Sequence, residues 1–187
     1  RGTAIARLAA EMGATKILHY SFPRHMNTAV LQARFEVMEC EAQRLGLEMI
    51  QVETPDPMSG GIPALQGFVA ADIPKQVTEH GQDIAFFGTN CAMMEPAIRA
   101  CLETGMIFLE QCCPSFYHGY PEALGIEIPA AVAGDLAYIE EAIRQGVAEN
   151  GRTGRFATWA MPANMLLMEL GVEFALRYGG QGGLNVQ

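Results

Sequence analysis

The sequence predicts an α/β fold of three layers, a mostly parallel β-sheet between helices. Two observations carry that expectation. Short apolar segments alternate with helix-patterned segments along the chain, as in "KILHYSF", "DIAFFG" and "MIFLEQ". Strands that read as nearly continuous apolar runs are buried on both faces, which is the situation in a parallel sheet covered by helices. The composition is that of an ordinary globular chain, 187 residues with 50% hydrophobic and 18% charged, enough for one domain with a sizeable core, or one lobe and part of another.

The elements follow in order. "TAIARLAAEMGA" is helix-patterned and Gly13 closes it. Thr15 to Phe22 reads as the first strand, then comes a polar turn, "PRHMN". From Thr28 to Leu45 the residues Leu31, Phe35, Met38, Ala42 and Leu45 recur at spacings of three and four, one helical stripe that Gly46 ends. "LEMIQVE" is the second strand, and "TPDPMSGGIP" is a loop of turn formers. Ala64 to His80 is helical, with a break expected at Pro74. "DIAFFG" is the third strand, followed by a helix from Met94 to Thr104 with Pro96 in its first turn and Gly105 at its end. "MIFLEQ" is the fourth strand, and "CCPSFYHGYPEALGIEIP" a long irregular segment. Asp135 to Glu149 is a helix, "GRFATWA" a fifth strand, and "MPANMLLMELGVEFALRYGG" a turn and helix. The organisation expected is a first helix over 1–14, an α/β lobe over 15–178 and a flexible glycine-rich exit over 179–187.

Charge narrows the function. The 12 basic residues are outnumbered by 21 acidic ones and scattered singly. No stripe is available to neutralise phosphates, so nucleic-acid binding through this segment is not expected. The five cysteines contain no CxxC pair, so neither a disulfide framework nor a structural zinc site has a local signature, and no metal or cofactor is expected. Phosphate-loop, dinucleotide and serine-hydrolase motifs are absent.

In open α/β sheets ligands bind outside the carboxyl ends of the strands. Three turns expected there place an asparagine at or near a helix start: Asn27 in "PRHMNTAV", Asn90 in "FFGTNCAMMEP" and Asn164 in "MPANMLLMEL". Helix capping is one reading of these asparagines, and ligand contact the other. The candidate ligand contacts at this edge are Arg24, His25, Asn27, Thr89, Asn90, Gln111, Tyr117, Trp159 and Asn164. Arg24 would pair an anionic group, the asparagines and Thr89 would orient polar groups, and Trp159 or Tyr117 would stack on a ring or apolar portion. A second reading pairs Cys91 with Cys112 or Cys113 as acid and base of a cofactor-independent, racemase-like enzyme. Against it, small buried cysteines commonly pack as hydrophobes.

"KILHYSFPRHM", "ETPDP", "AFFGTNCAM", "QCCPSFYHGYP" and "GRFATWAMPANM" together resemble a bacterial family of unknown function that is similar to type 1 periplasmic binding proteins, often labelled as lipoproteins or solute-binding components. The resemblance covers most of 15–165. It implies two α/β lobes with ligand in the cleft between them, of which this chain is mainly the second. It also implies a periplasmic or cell-surface lipoprotein working with a membrane transporter. The function expected is therefore binding of a small polar or anionic metabolite without catalysis, with the sensing domain of a transcriptional regulator as a further alternative.

Overall fold

The computed structural model describes residues 1–113, 115, 117–159 and 163–179, without the side chain of Asn164. Four parallel strands form one sheet: β1 (Lys16–Ser21), β2 (Glu48–Glu53), β3 (Ile84–Gly88) and β4 (Ile107–Phe108), in the order β2-β1-β3-β4. The register sets Leu18 beside Ile50 on one side and Phe86 on the other, and Phe86 beside Phe108. Parallel neighbours need a crossover between them. Helix α3 (Ala29–Arg44) connects β1 to β2, α4 (Ile62–His80) connects β2 to β3, and α5 (Met94–Thr104) connects β3 to β4.

The period-two alternation of the strands divides the core between two faces. Leu18, Tyr20, Phe86 and Phe108 point towards α4 and α5, where they meet Leu65, Val69, Ile73, Ala97 and Ile98. Ile17, Ala85, Phe87 and Ile107 point the other way, onto α1 (Gly2–Glu11) and α3, among Ile5, Ala9, Phe35 and Met38. These are the expected three layers. Helices α1 and α3 approach closely at Gly2, where an added Cβ would stand 2.5 Å from the Arg34 carbonyl oxygen and 2.9 Å from the Met38 nitrogen. Backbone atoms cannot rotate away. Gly2→Ala is expected to destabilise the fold by about 1–3 kcal/mol, seen as a lowered thermal midpoint by circular dichroism; an unchanged midpoint would show that α1 does not pack there.

Several elements differ from the sequence expectation. The turn after β1 is a short helix, α2 (Pro23–Met26), and α6 (Tyr120–Leu124) lies in the segment expected to be irregular. Helix α4 begins two residues early and does not break at Pro74. The missing Pro74 N–H costs one hydrogen bond. Leu65, Val69 and Ile73 on the buried stripe hold the helix across that gap, and the Thr78 hydroxyl donates to the Pro74 carbonyl at 2.8 Å. The fourth strand is cut to two residues, and the fifth to one parallel bridge between Phe108 and Phe156. Side chains replace the ladder here. Arg155 donates to the Gly105 carbonyl and pairs Asp83 at 2.8 Å, while Arg152 donates to the carbonyls of Leu102 and Glu103 at the end of α5. Gly105 ends α5 with φ +82°, a conformation that favours glycine.

Helix α7 (Leu136–Glu149) is capped by Asp135, whose carboxylate accepts the Tyr138 N–H at 3.1 Å. Helix α8 (Ala163–Tyr178) carries apolar residues on every side yet is exposed, with Leu167, Met168, Val172 and Leu176 all more than half accessible. From residue 180 on, the expected exit segment lies outside the described residues.

Candidate functional site

The strand order puts β1 and β3 in the middle of the sheet: the chain passes from β1 to β2 on one side, then crosses back over β1 to β3 and goes on to β4 on the other. The carboxyl ends of β1 and β3 therefore form a topological switch point, where crossovers diverge and leave a crevice. Ser21 ends β1 and Thr89 follows β3, and their hydroxyls are 2.8 Å apart. Short helix α2 brings His25 over them, with its Nδ1 3.1 Å from the Thr89 hydroxyl and its ring 4.0 Å from that of Phe22. Burial, aided by the neighbouring Arg24 charge, lowers the His25 pKa below the usual imidazole value, so the ring is neutral at pH 7. Ser21 and Thr89 are 4% and 7% exposed. A cleft of about 400 Å³ shares Ser21 and is lined by His19, Met26, Asn27, Gln51 and Glu53 as well.

A second cluster lies next to the first. Asn90 accepts the Ala92 N–H at 2.9 Å and so caps the 3₁₀ turn Cys91–Met93. Cys112 and Cys113 follow β4. The Cys112 thiol donates to the Cys91 sulfur at 3.1 Å, Cys113 Sγ is 3.1 Å from His118 Nδ1, and the three sulfurs lie within 4.8 Å of one another. The hydrogen bond from Cys112, then the one from His118, draws the Cys91 thiol down to about 4. Cys112 moves up for the reciprocal reason, as the donor to Cys91, and His118 moves up through its bond to the same sulfur. Cys91 is thus a thiolate at neutral pH. With chelator present, its alkylation rate is expected to stay nearly flat between about pH 6 and pH 8, whereas that of an ordinary thiol rises about tenfold per unit below its pKa of ~8.5. Peptide mass spectrometry of the timed reaction checks this, and a tenfold rise per unit at Cys91 would remove the thiolate.

The sequence candidates divide between these clusters and the scaffold. His25 and Thr89 meet at the switch point, and Asn27 lines the cleft. Asn27 is not a helix N-cap; it ends α2, and Thr28 precedes α3, so the three-asparagine recurrence does not describe three like caps. Asn90 is one. Arg24 does not stand open to an anion: Asp56 takes Nε and Nη2 at 2.8 and 2.9 Å. Gln111 is fully buried; its side-chain oxygen accepts the Thr158 hydroxyl at 2.8 Å and its carbonyl the Trp159 indole N–H at 3.0 Å. The Trp159 ring is covered by Arg1, whose guanidinium lies 4.2 Å from the ring centroid. Tyr117 lines a different cleft, with Cys113 and His118. The side chain of Asn164 lies outside the described residues.

Gln51 and Glu53 were not candidates. The signal for them is parity, since alternate residues of an edge strand share a face. His19 reads from the sequence as a satisfied core histidine. The structure buries it to 1% exposure with, among the described residues, no hydrogen-bond partner on either ring nitrogen.

Comparison with known proteins gives a fold and a family. A crystal structure of a proposed transcriptional regulator from Clostridium difficile 630 is 28% identical, with a TM-score of 0.84 over 95% of this chain. The chain spans about half of that protein, 51% of its length. An uncharacterized protein of Treponema pallidum (strain Nichols) is 31% identical over 154 residues, which are 82% of this chain and 68% of the relative. A second uncharacterized protein from the same organism is 45% identical over 56 residues, 30% of this chain and 25% of its own length. Residues 1–157 match the model of a family described as protein of unknown function (DUF3798), and the chain belongs to that family.

Proposed function

We propose that this chain is the ligand-binding lobe of a solute-binding or ligand-sensing protein, taking a small polar metabolite at the carboxyl edge of the sheet around the end of β1. The observation that carries this reading is the hydrogen-bonded chain Ser21–Thr89–His25 at the switch point, which shares Ser21 with a cleft of about 400 Å³ lined from β1, α2 and β2. The lining of Asn27, Gln51, Glu53 and a neutral His19 offers donors and acceptors without an unpaired cation. A neutral or zwitterionic solute suits it better than a bare anion, because Arg24 already spends its charge on Asp56.

Two further observations support a second lobe. The solved relative is about twice as long as this chain. An apolar helix such as α8, exposed as it stands, needs cover. Two α/β lobes closing over a solute is the arrangement of type 1 periplasmic binding proteins, and the same arrangement serves in sensing domains; the regulator among the structural relatives favours the sensing form. In the solute-carrying form the protein would be exported or lipid-anchored and would deliver to a membrane transporter.

Calorimetry of the full-length protein against amino acids, sugars and nucleosides tests the site. One class should bind, and Thr89→Val and Asn27→Ala should each weaken it about tenfold, or 1.4 kcal/mol. Affinity unchanged in both variants for every hit would place the site elsewhere. The racemase-like alternative loses ground on geometry. Two thiols acting on opposite sides of a carbon atom need that atom between them, and Cys91 is in contact with Cys112 at 3.1 Å and within 4.8 Å of Cys113.

A further inference from the structure

Cys91, Cys112, Cys113 and His118 come from two separate loops, the turn after β3 and the segment after β4. Nothing in the ligand reading uses them. Three sulfurs within 4.8 Å of one another, with an imidazole nitrogen 3.1 Å from one of them, form a soft donor set. Sulfurs bound tetrahedrally at ~2.3 Å to one cation stand about 3.8 Å apart. The span from the 3.1 Å contact of Cys112 with Cys91 up to 4.8 Å brackets that separation.

Both loops are held from behind. Asn90 caps the turn that carries Cys91. Arg1 donates to the carbonyls of Gln111 and Cys112 at 2.7 and 3.0 Å, and the Cys112 N–H points at Met94 Sδ, 3.4 Å away. Donors fixed by their backbones in this way lose little entropy on ligation. A cleft of about 450 Å³ reaches Cys113 and His118 from solvent, which gives an entry path.

We infer that Cys91, Cys112, Cys113 and His118 form a binding site for a thiophilic d10 cation, Zn(II), with three thiolates and one imidazole as a tetrahedral set. Thiolate and imidazole donors select such cations over calcium or magnesium, which need oxygen. Binding forms three metal–sulfur bonds and one metal–nitrogen bond. Each thiol still protonated releases its proton to solvent, the imidazole binds neutral, and no electron is transferred. With all four positions filled by protein the site is structural. It ties the loop after β4 to the turn after β3 at the rim of the ligand edge.

The test uses the full-length protein, reduced and freed of metal by chelation, then titrated with Co(II) as a spectroscopic probe and back-titrated with Zn(II). The expected result is one Co(II) per chain with tetrahedral visible bands and a thiolate charge-transfer band, all erased by one equivalent of Zn(II). Cys91→Ser and Cys112→Ser should each weaken binding about a hundredfold and His118→Ala about tenfold, with Cys40→Ser unchanged. Cys91 is exposed, so its variant keeps the fold, and circular dichroism verifies that. A saturating spectrum undiminished in Cys91→Ser, an octahedral spectrum without a thiolate band, or no binding at stoichiometric Co(II) would each overturn the site. So would a reduced protein that takes no metal and on mild oxidation forms a Cys91–Cys112 disulfide, which would make the pair a redox couple instead.

Discussion

Phe86→Ala is expected to cost about 3–5 kcal/mol of folding stability, the range for emptying a buried aromatic position. Phe86 is fully buried at the centre of the sheet. Its ring lies 4.8 Å from that of Tyr20 on β1 and 5.8 Å from that of Phe108 on β4. Phe108 continues the series to Phe156 at 6.1 Å and Tyr120 at 5.7 Å. One row of rings thus joins three strands, α6 and the bridge residue Phe156. Alanine removes the ring from the middle of that row and leaves a cavity that the flanking strands cannot close, since their backbones are fixed by the ladder. The Phe86 ring also fills the space above Gly88, where an added Cβ would sit 2.8 Å from its tip. Urea denaturation measures the effect as a lowered midpoint at unchanged slope. A loss below about 1 kcal/mol would mean that the ring row carries no more than an exposed contact.

Acid is expected to weaken the fold through His19 in a window that carboxylates do not cover. Burial, helped by the Arg34 charge, lowers its pKa from 6.5 to about 3. Between those values the unfolded chain binds a proton that the folded chain refuses. Stability from this residue is complete above about pH 6.5 and falls as the pH drops towards 3, with a limit on the order of 5 kcal/mol at ~1.4 kcal/mol per unit. Glu41 titrates lower, held at about 2 by hydrogen bonds from Arg44 and Arg7. His19→Leu is expected to flatten the loss between about pH 6.5 and 5 and to raise stability there, because neither ring nitrogen has a partner among the described residues to lose. Its ring packs edge-on to Phe35 at 4.9 Å, a setting that a leucine can share. Urea midpoints of both proteins across that window decide it, and parallel curves would exclude His19 as the acid-sensitive group.

What could be read beforehand follows a pattern. The strands around Leu18 and Phe86 were legible because hydrophobic burial on both faces leaves an apolar run in any parallel strand. The stripe of Phe35, Met38 and Ala42 was legible because helical spacing and burial share one period. Pro74 misled because propensity is local, whereas the buried residues before it anchor the helix as a whole. Arg24 misled because an exposed arginine in a turn gives no sign of a carboxylate that comes from a different loop. The thiols were undervalued for the same reason: Cys91 and Cys112 are 21 residues apart and show no ligand spacing.

The sequence by itself determined the class of the fold and the segments that form β1, β2 and β3. Those depend on period and composition, which each segment carries alone. Only the tertiary structure decided the strand order, and with it the switch point. It also decided that Ser21, Thr89 and His25 form one chain, that Arg24 is already paired and that three thiols share one place. Each of these is a contact between residues distant in the chain, set by how the layers pack.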